Sequence, residues 1–227
     1  MLYILVLLLL ALTLDCRRIT EFENYAIKQY CGMNRLYKKA SFKIFGGRGV
    51  VPGEYPWLVL ITIPKLKGGR IGHKACTGSL ISPRHVLTAA HCVTDYDAQK
   101  SGPCYGREQV VKAPMEKLQD LKVYVGTVCR HQKDCGTRQR VRKVIVHENW
   151  KRCVQSSVFP NNQVEVHDLA IIELENDISY KRASPICLPS ENLRIQRVLH
   201  GAGSGRDEAE PVVGGQRRPM PLSLILR

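Results

Sequence analysis

The chain predicts an all-β fold, an antiparallel sandwich or barrel, and three observations carry that prediction. Its apolar segments are short and separated by turn residues, helical periodicity nowhere exceeds two turns, and 44% hydrophobic residues in 227 supply core for one ordinary domain or two small ones. The runs at 57–63, 78–81, 86–90, 121–126, 141–146 and 169–174 read as strands, because each is long enough for a strand and too short for a helix. Between them, residues 94–117 are polar and contain Ser101-Gly102-Pro103-Cys104, which suits a long surface loop held by Cys104. Strand signals thin out beyond Cys187, and residues 204–227 read as an irregular tail.

The N-terminal elements differ in kind. Residues 2–14 form an apolar run broken only by Thr13 and ended by Asp15-Cys16-Arg17-Arg18. That run falls short of the roughly 20 residues a bilayer crossing needs, so residues 1–16 are expected to be a secretory signal peptide, leaving no membrane segment after cleavage. Cutting after Thr13 keeps Cys16, whereas cutting after Cys16 leaves eight of the nine cysteines. Residues 17–43 are polar and basic, carry Cys31 and close on Lys43, as expected of a pro-segment or linker.

Charge and cysteine usage narrow the function classes. Lys plus Arg number 34 against 20 Asp plus Glu, a formal charge of +14 that permits contact with polyanions. Arg138, Arg140 and Arg142 alternate with Gln139 and Val141, so on a strand they share one face, either ordinarily solvated or meeting a sulfated glycan. No nucleic-acid motif accompanies the charge, and a secreted protein lacks the usual nucleic-acid partners. The nine cysteines lack the paired C-x-x-C spacing of a structural zinc site, which points to disulfides in an oxidising, extracellular compartment and to no metal.

The strongest local signal is Leu87-Thr88-Ala89-Ala90-His91-Cys92, preceded by Cys76-Thr77-Gly78-Ser79-Leu80-Ile81. These segments resemble the trypsin-like (chymotrypsin-fold) serine protease family. Ile44-Phe45-Gly46-Gly47 and Gly53-Glu54-Tyr55-Pro56-Trp57 resemble the family's new amino terminus, and Val166-His167-Asp168-Leu169-Ala170-Ile171-Ile172-Glu173-Leu174 resembles the segment carrying its triad aspartate. The resemblance implies that His91 is a general base and that Asp168 orients it and stabilises the imidazolium. It also implies a zymogen cleaved between Lys43 and Ile44 by an activating protease, protein or peptide substrates, and no cofactor. Cys187-Leu188-Pro189 resembles the stretch whose cysteine ties back to the pro-segment, so Cys31 is expected to pair with Cys187 and Cys76 with Cys92. Cys104, Cys129, Cys135 and Cys153 allow three connectivities; Cys129 with Cys135 and Cys104 with Cys153 is the preferred one.

The resemblance covers about residues 44–203, an incomplete peptidase domain in which the N-terminal chymotrypsin-like barrel is present and the second barrel is largely missing. A triad of this family runs His, Asp, Ser along the chain, yet no Gly-Asp-Ser-Gly-Gly segment follows Asp168. Ser204 lies in Gly203-Ser204-Gly205, but Gly201-Ala202-Gly203 matches the start of the second barrel, too far upstream for a nucleophile. Two functions therefore compete: a secreted serine endopeptidase whose nucleophile these residues do not supply, and a non-catalytic protease homologue acting as a binding or decoy module. Substrate specificity is not encoded in the residues that match.

Overall fold

Strand pairing converts the apolar runs into one curled antiparallel sheet. A computed structural model describes residues 18–33, 50, 53–67, 70–94, 109–110, 120–126, 137–155, 163–194 and 202–203. Its strands are β1 (Leu58–Lys67), β2 (Arg70–Leu80), β3 (His85–Thr88), β4 (Gln109–Val110), β5 (Lys122–Val125), β6 (Val141–Val146), β7 (Lys151–Gln155), β8 (Gln163–Val166) and β9 (Ala170–Leu174). Six of them form a sheet in the order β5-β1-β2-β3-β9-β6, and β4-β7-β8 form a second sheet. The two edges of the larger sheet meet through an antiparallel bridge between Val123 and Gln139, with the Gln139 N–H donating to the Val123 carbonyl over 2.8 Å. Joining the edges there covers backbone groups that an open sheet would present to other chains.

Inside the curl, Val59, Ile61, Leu80, Val86, Val123, Ile172 and Leu174 are almost fully buried and pack with Trp150 and Leu121. Each such side chain contributes about 1.5–3 kcal/mol by leaving water. Residues 58–62 of β1 are buried on both faces, because Leu60 packs on its register partner Tyr124 as a separate small cluster. Close approach of β1, β2 and β3 requires Gly78, where a Cβ would lie 2.6 Å from Val86 Cγ1 and 3.1 Å from the Leu87 carbonyl. Sequence periodicity anticipates the strands of the larger sheet, but not the first half of β2 or the smaller sheet, whose residues are mostly polar.

An α-helix, α1 (Glu21–Tyr30), lies within the segment expected to be a polar pro-segment or linker. Thr20 caps it: its hydroxyl accepts from the Glu23 N–H while Glu23 Oε2 accepts from the Thr20 N–H, satisfying two N-terminal donors reciprocally. The same Glu23 carboxylate takes a two-pronged ion pair from Arg84, at 2.7 Å (Nη1–Oε1) and 3.0 Å (Nη2–Oε2). Arg84 Nη2 also donates to the Arg18 carbonyl, and Asp177 lies 3.4 Å from Nη1. The turn that presents Arg84 is tied by Ser82, whose Oγ accepts from the Arg84 and His85 amides and lies 2.7 Å from His85 Nδ1. At the other end of α1, Cys31 is bonded to Cys187, the Gly32 N–H donates to the Pro185 carbonyl, and Tyr30 meets Tyr180 edge-on. Helix and barrel line an open cleft of about 410 Å³ between Ile27, Ile81, His85 and Ile186.

Arginines 138, 140 and 142 do not share one exposed face. Strand β6 begins only at Val141, and Arg142 reaches inward to Glu173, a fully buried carboxylate, at 2.6 Å. Arg138 Nη2 donates to the Leu121 carbonyl, and Arg140 is 3.8 Å from Glu175 with most of its side chain in water.

The hydrogen bond from Arg84 holds the Glu23 carboxyl at about 2, below its ordinary 4.5. A carboxylate lowered in the folded state stabilises the fold above its unfolded value, and this contribution is lost as pH falls through the folded one. The Glu23 contribution should therefore fade between about pH 4.5 and about pH 2. Thermal melts across that range should show Glu23→Gln less stable than the parent at neutral pH and converging with it at the acid end.

Candidate active site

Strands β3 and β9 run antiparallel with Thr88 opposite Ala170, so the residues just after β3 and just before β9 emerge at the same end of the barrel. His91 lies in a single 3₁₀ turn, Ala90–Cys92, directly after β3. Ala90 is fully buried and Cys92 nearly so, and the Cys76–Cys92 disulfide ties the turn to β2. Thr94 Oγ1 donates to the Ala90 carbonyl, and Thr88 Oγ1 donates to the Thr77 carbonyl. Small residues at 89 and 90 let this turn sit against the barrel while its imidazole points outward.

Asp168 is aimed by the backbone around it. His167 occupies the left-handed region at φ 53°, uncommon for a residue with a side chain. The Leu169 N–H then donates to the His167 carbonyl over 2.7 Å, a three-residue turn centred on Asp168. The His167 ring stacks on His147 at 4.8 Å between centroids, and the His147 N–H donates to the Leu169 carbonyl. These contacts hold both ends of the turn.

Both Asp168 oxygens are directed at His91. Oδ1 accepts from the His91 backbone N–H over 2.8 Å, and Oδ2 lies 2.6 Å from Nδ1. An ionised carboxylate only accepts, so the proton of the neutral ring belongs on Nδ1, leaving the Nε2 lone pair as the basic site. The ring is partly exposed, and Cys92 Sγ lies 3.4 Å from Nε2. Glu165, in β8, places Oε2 3.7 Å from His91 Nδ1. Nothing in the sequence singles Glu165 out, because its place beside the ring follows from the strand-to-turn path into Asp168.

Of the other residues singled out in the sequence, Lys43, Ile44, Cys16, Cys104, Cys129, Cys135 and Ser204 lie outside the described residues. Cys153 falls in β7, with its side chain outside the description. Among the described residues no helix is long and apolar enough to cross a membrane.

Comparison with known proteins agrees with this architecture. The family model described as "Trypsin" matches residues 44–215. The chain is 34% identical over 163 residues to "Serine protease ea" of Drosophila melanogaster, covering 68% of this chain and 37% of that protein. It is 30% identical over 155 residues to "Spaetzle-processing enzyme" of the same organism, covering 66% of this chain and 36% of that one. Against "CLIP domain-containing serine protease HP8" of Bombyx mori the identity is 32% over 153 residues, covering 66% and 36%. An all-β barrel of chymotrypsin type with a histidine–aspartate pair at its rim defines a serine-protease class of protein. This chain belongs to the trypsin family, and it spans less than half the length of these relatives.

Replacing Asp168 by Asn keeps an acceptor for the His91 amide but sets an NH₂ donor against Nδ1. The ring proton should then move to Nε2, which nitrogen-15 NMR of His91 reads directly. Unfolding in urea should show a loss of about 1.5–3 kcal/mol, the range for hydrogen bonds to a charged group.

Proposed function

We infer that the chain is part of a secreted serine endopeptidase system in which His91 is the general base and Asp168 its orienting carboxylate. The observation that carries this reading is the double engagement of Asp168, at 2.8 Å with the His91 amide and 2.6 Å with Nδ1. In peptide-bond hydrolysis by this chemistry, Nε2 takes the proton of a serine hydroxyl as it attacks the carbonyl, and later returns it to the leaving amine. Asp168 keeps the ring in the tautomer that makes Nε2 basic and stabilises the imidazolium between those two transfers. Substrates are proteins or peptides, in keeping with relatives named as serine proteases. Cleavage after Lys43 by a protease of basic specificity activates the zymogen, and the Cys31–Cys187 bond keeps residues 18–33 attached afterwards.

These 227 residues by themselves do not hydrolyse peptide bonds, because no segment after Asp168 matches the family's Gly-Asp-Ser-Gly-Gly nucleophile. The purified chain, cleaved between Lys43 and Ile44, should take no label from a serine-directed phosphonate. Covalent labelling would overturn this reading and assign a nucleophile to the chain. A contact with sulfated glycans falls to Arg138 and Arg140, since Arg142 is committed to Glu173. Retention on heparin that weakens as salt rises, and that falls in the Arg138→Gln, Arg140→Gln double variant, checks it.

A further inference from the structure

Three metal-ligating atoms converge beside the His91 ring. His91 Nδ1, Asp168 Oδ2 and a carboxylate oxygen of Glu165 all lie within 4.8 Å of one another. Oδ2 is 2.6 Å and Glu165 Oε2 is 3.7 Å from Nδ1. A proton relay needs only one of the two carboxylates. Glu165 comes from β8 and Asp168 from the turn after it, so the left-handed step at His167 brings both acids to one side of a single imidazole.

We propose that His91, Glu165 and Asp168 form a Zn²⁺ site. One imidazole and two carboxylates are a donor set that zinc takes, with a fourth position left for water. Zinc bonds of about 2.0–2.2 Å in a tetrahedron set ligand atoms about 3.3 Å apart. Glu165 therefore closes by a few tenths of an ångström, and Asp168 Oδ2 backs away from Nδ1 by a little more. All three side chains are partly exposed, at 39%, 29% and 23%, so the metal enters from solvent and the carboxylates adjust at the protein surface. The two negative charges offset the two positive charges of the ion. Cys76 and Cys92 lie close by, but their sulfurs are bonded to each other and offer no thiolate.

Binding forms a Zn–Nδ1 bond, and the single ring proton displaced from Nδ1 is taken up, through solvent, at Nε2. A neutral imidazole metallated at Nδ1 carries its remaining proton on Nε2. Its basic lone pair is then gone, and the metal holds the ring in the tautomer that cannot accept a serine proton. This regulatory consequence rests on His91 being the general base, whereas the binding itself does not.

The test uses the purified, oxidised chain with any unpaired thiol blocked by iodoacetamide, titrated with Co²⁺ and then displaced by Zn²⁺. The expected result is an intense visible absorption of tetrahedral Co²⁺, saturating at one equivalent and released by Zn²⁺. Glu165→Gln and Asp168→Asn, each checked for folding by circular dichroism, should weaken the titration about tenfold or more. Glu148→Gln, which removes an exposed acid outside the cluster, should leave it intact. Absence of the tetrahedral spectrum overturns the proposal, as does unchanged binding in both carboxylate variants. Loss in Glu148→Gln alone also overturns it by moving the metal away from His91. The spectrum needs no nucleophile, so phosphonate labelling of the chain leaves this outcome unaffected.

Discussion

The antiparallel pairing of β3 with β9 is the constraint on which both barrel and site depend. It lines up Val86 with Ile172 and Leu87 with Ile171, and in the same register it brings Thr88 to Ala170. The first consequence is a core, since Val86 and Ile172 are fully buried. The second is that two segments 77 residues apart in sequence leave the barrel side by side, one carrying the imidazole and one the carboxylate. A slip of one residue would turn the apolar set of β9 outward and carry Asp168 away from His91. Stability and chemistry therefore share a register.

Charged groups hold the places that strand pairing leaves open. Arg84 ties α1 to the turn between β2 and β3, and Arg142 ties β6 to Glu173 inside β9. A buried ion pair adds little over a hydrophobic contact, but removing one partner leaves an uncompensated charge, so such pairs punish misplacement. Both pairs lie away from the His91–Asp168 rim, and they keep the scaffold rigid without occupying the site. Glu165 is different. It brings a second negative charge to the imidazole itself, so the electrostatics there exceed what orienting one ring requires.

Much of the barrel was legible in the sequence because its strands are short, apolar and bounded by turn residues. The runs at 57–63, 86–90, 121–126, 141–146 and 169–174 all became strands of one sheet. What escaped was polar. Strands β7 and β8 have their apolar residues broken up by Lys151, Arg152, Gln155, Gln163 and Glu165, and they pair with each other. Helix α1 is less than three turns long and buries only Ile27 among its residues, so no apolar stripe announces it. Its one readable mark, Thr20 followed by Glu23 in capping-box spacing, is local and weak without the Arg84 partner that the folded barrel supplies. The arginine stripe misled for a related reason: alternation names a face, but only the neighbouring strand decides whether that face meets water or Glu173.

Sequence alone indicated an all-β sandwich or barrel, since strand length and turn residues are properties of neighbouring residues. His91 and Asp168 could be named because the segments around them, 87–92 and 166–174, resemble those of the trypsin-like family. Tertiary structure alone decided that Glu165 joins them, that Arg84 clamps a helix and that Arg142 is spent internally. Those contacts join segments distant along the chain, and their geometry comes from strand register and a left-handed turn, which no local pattern records.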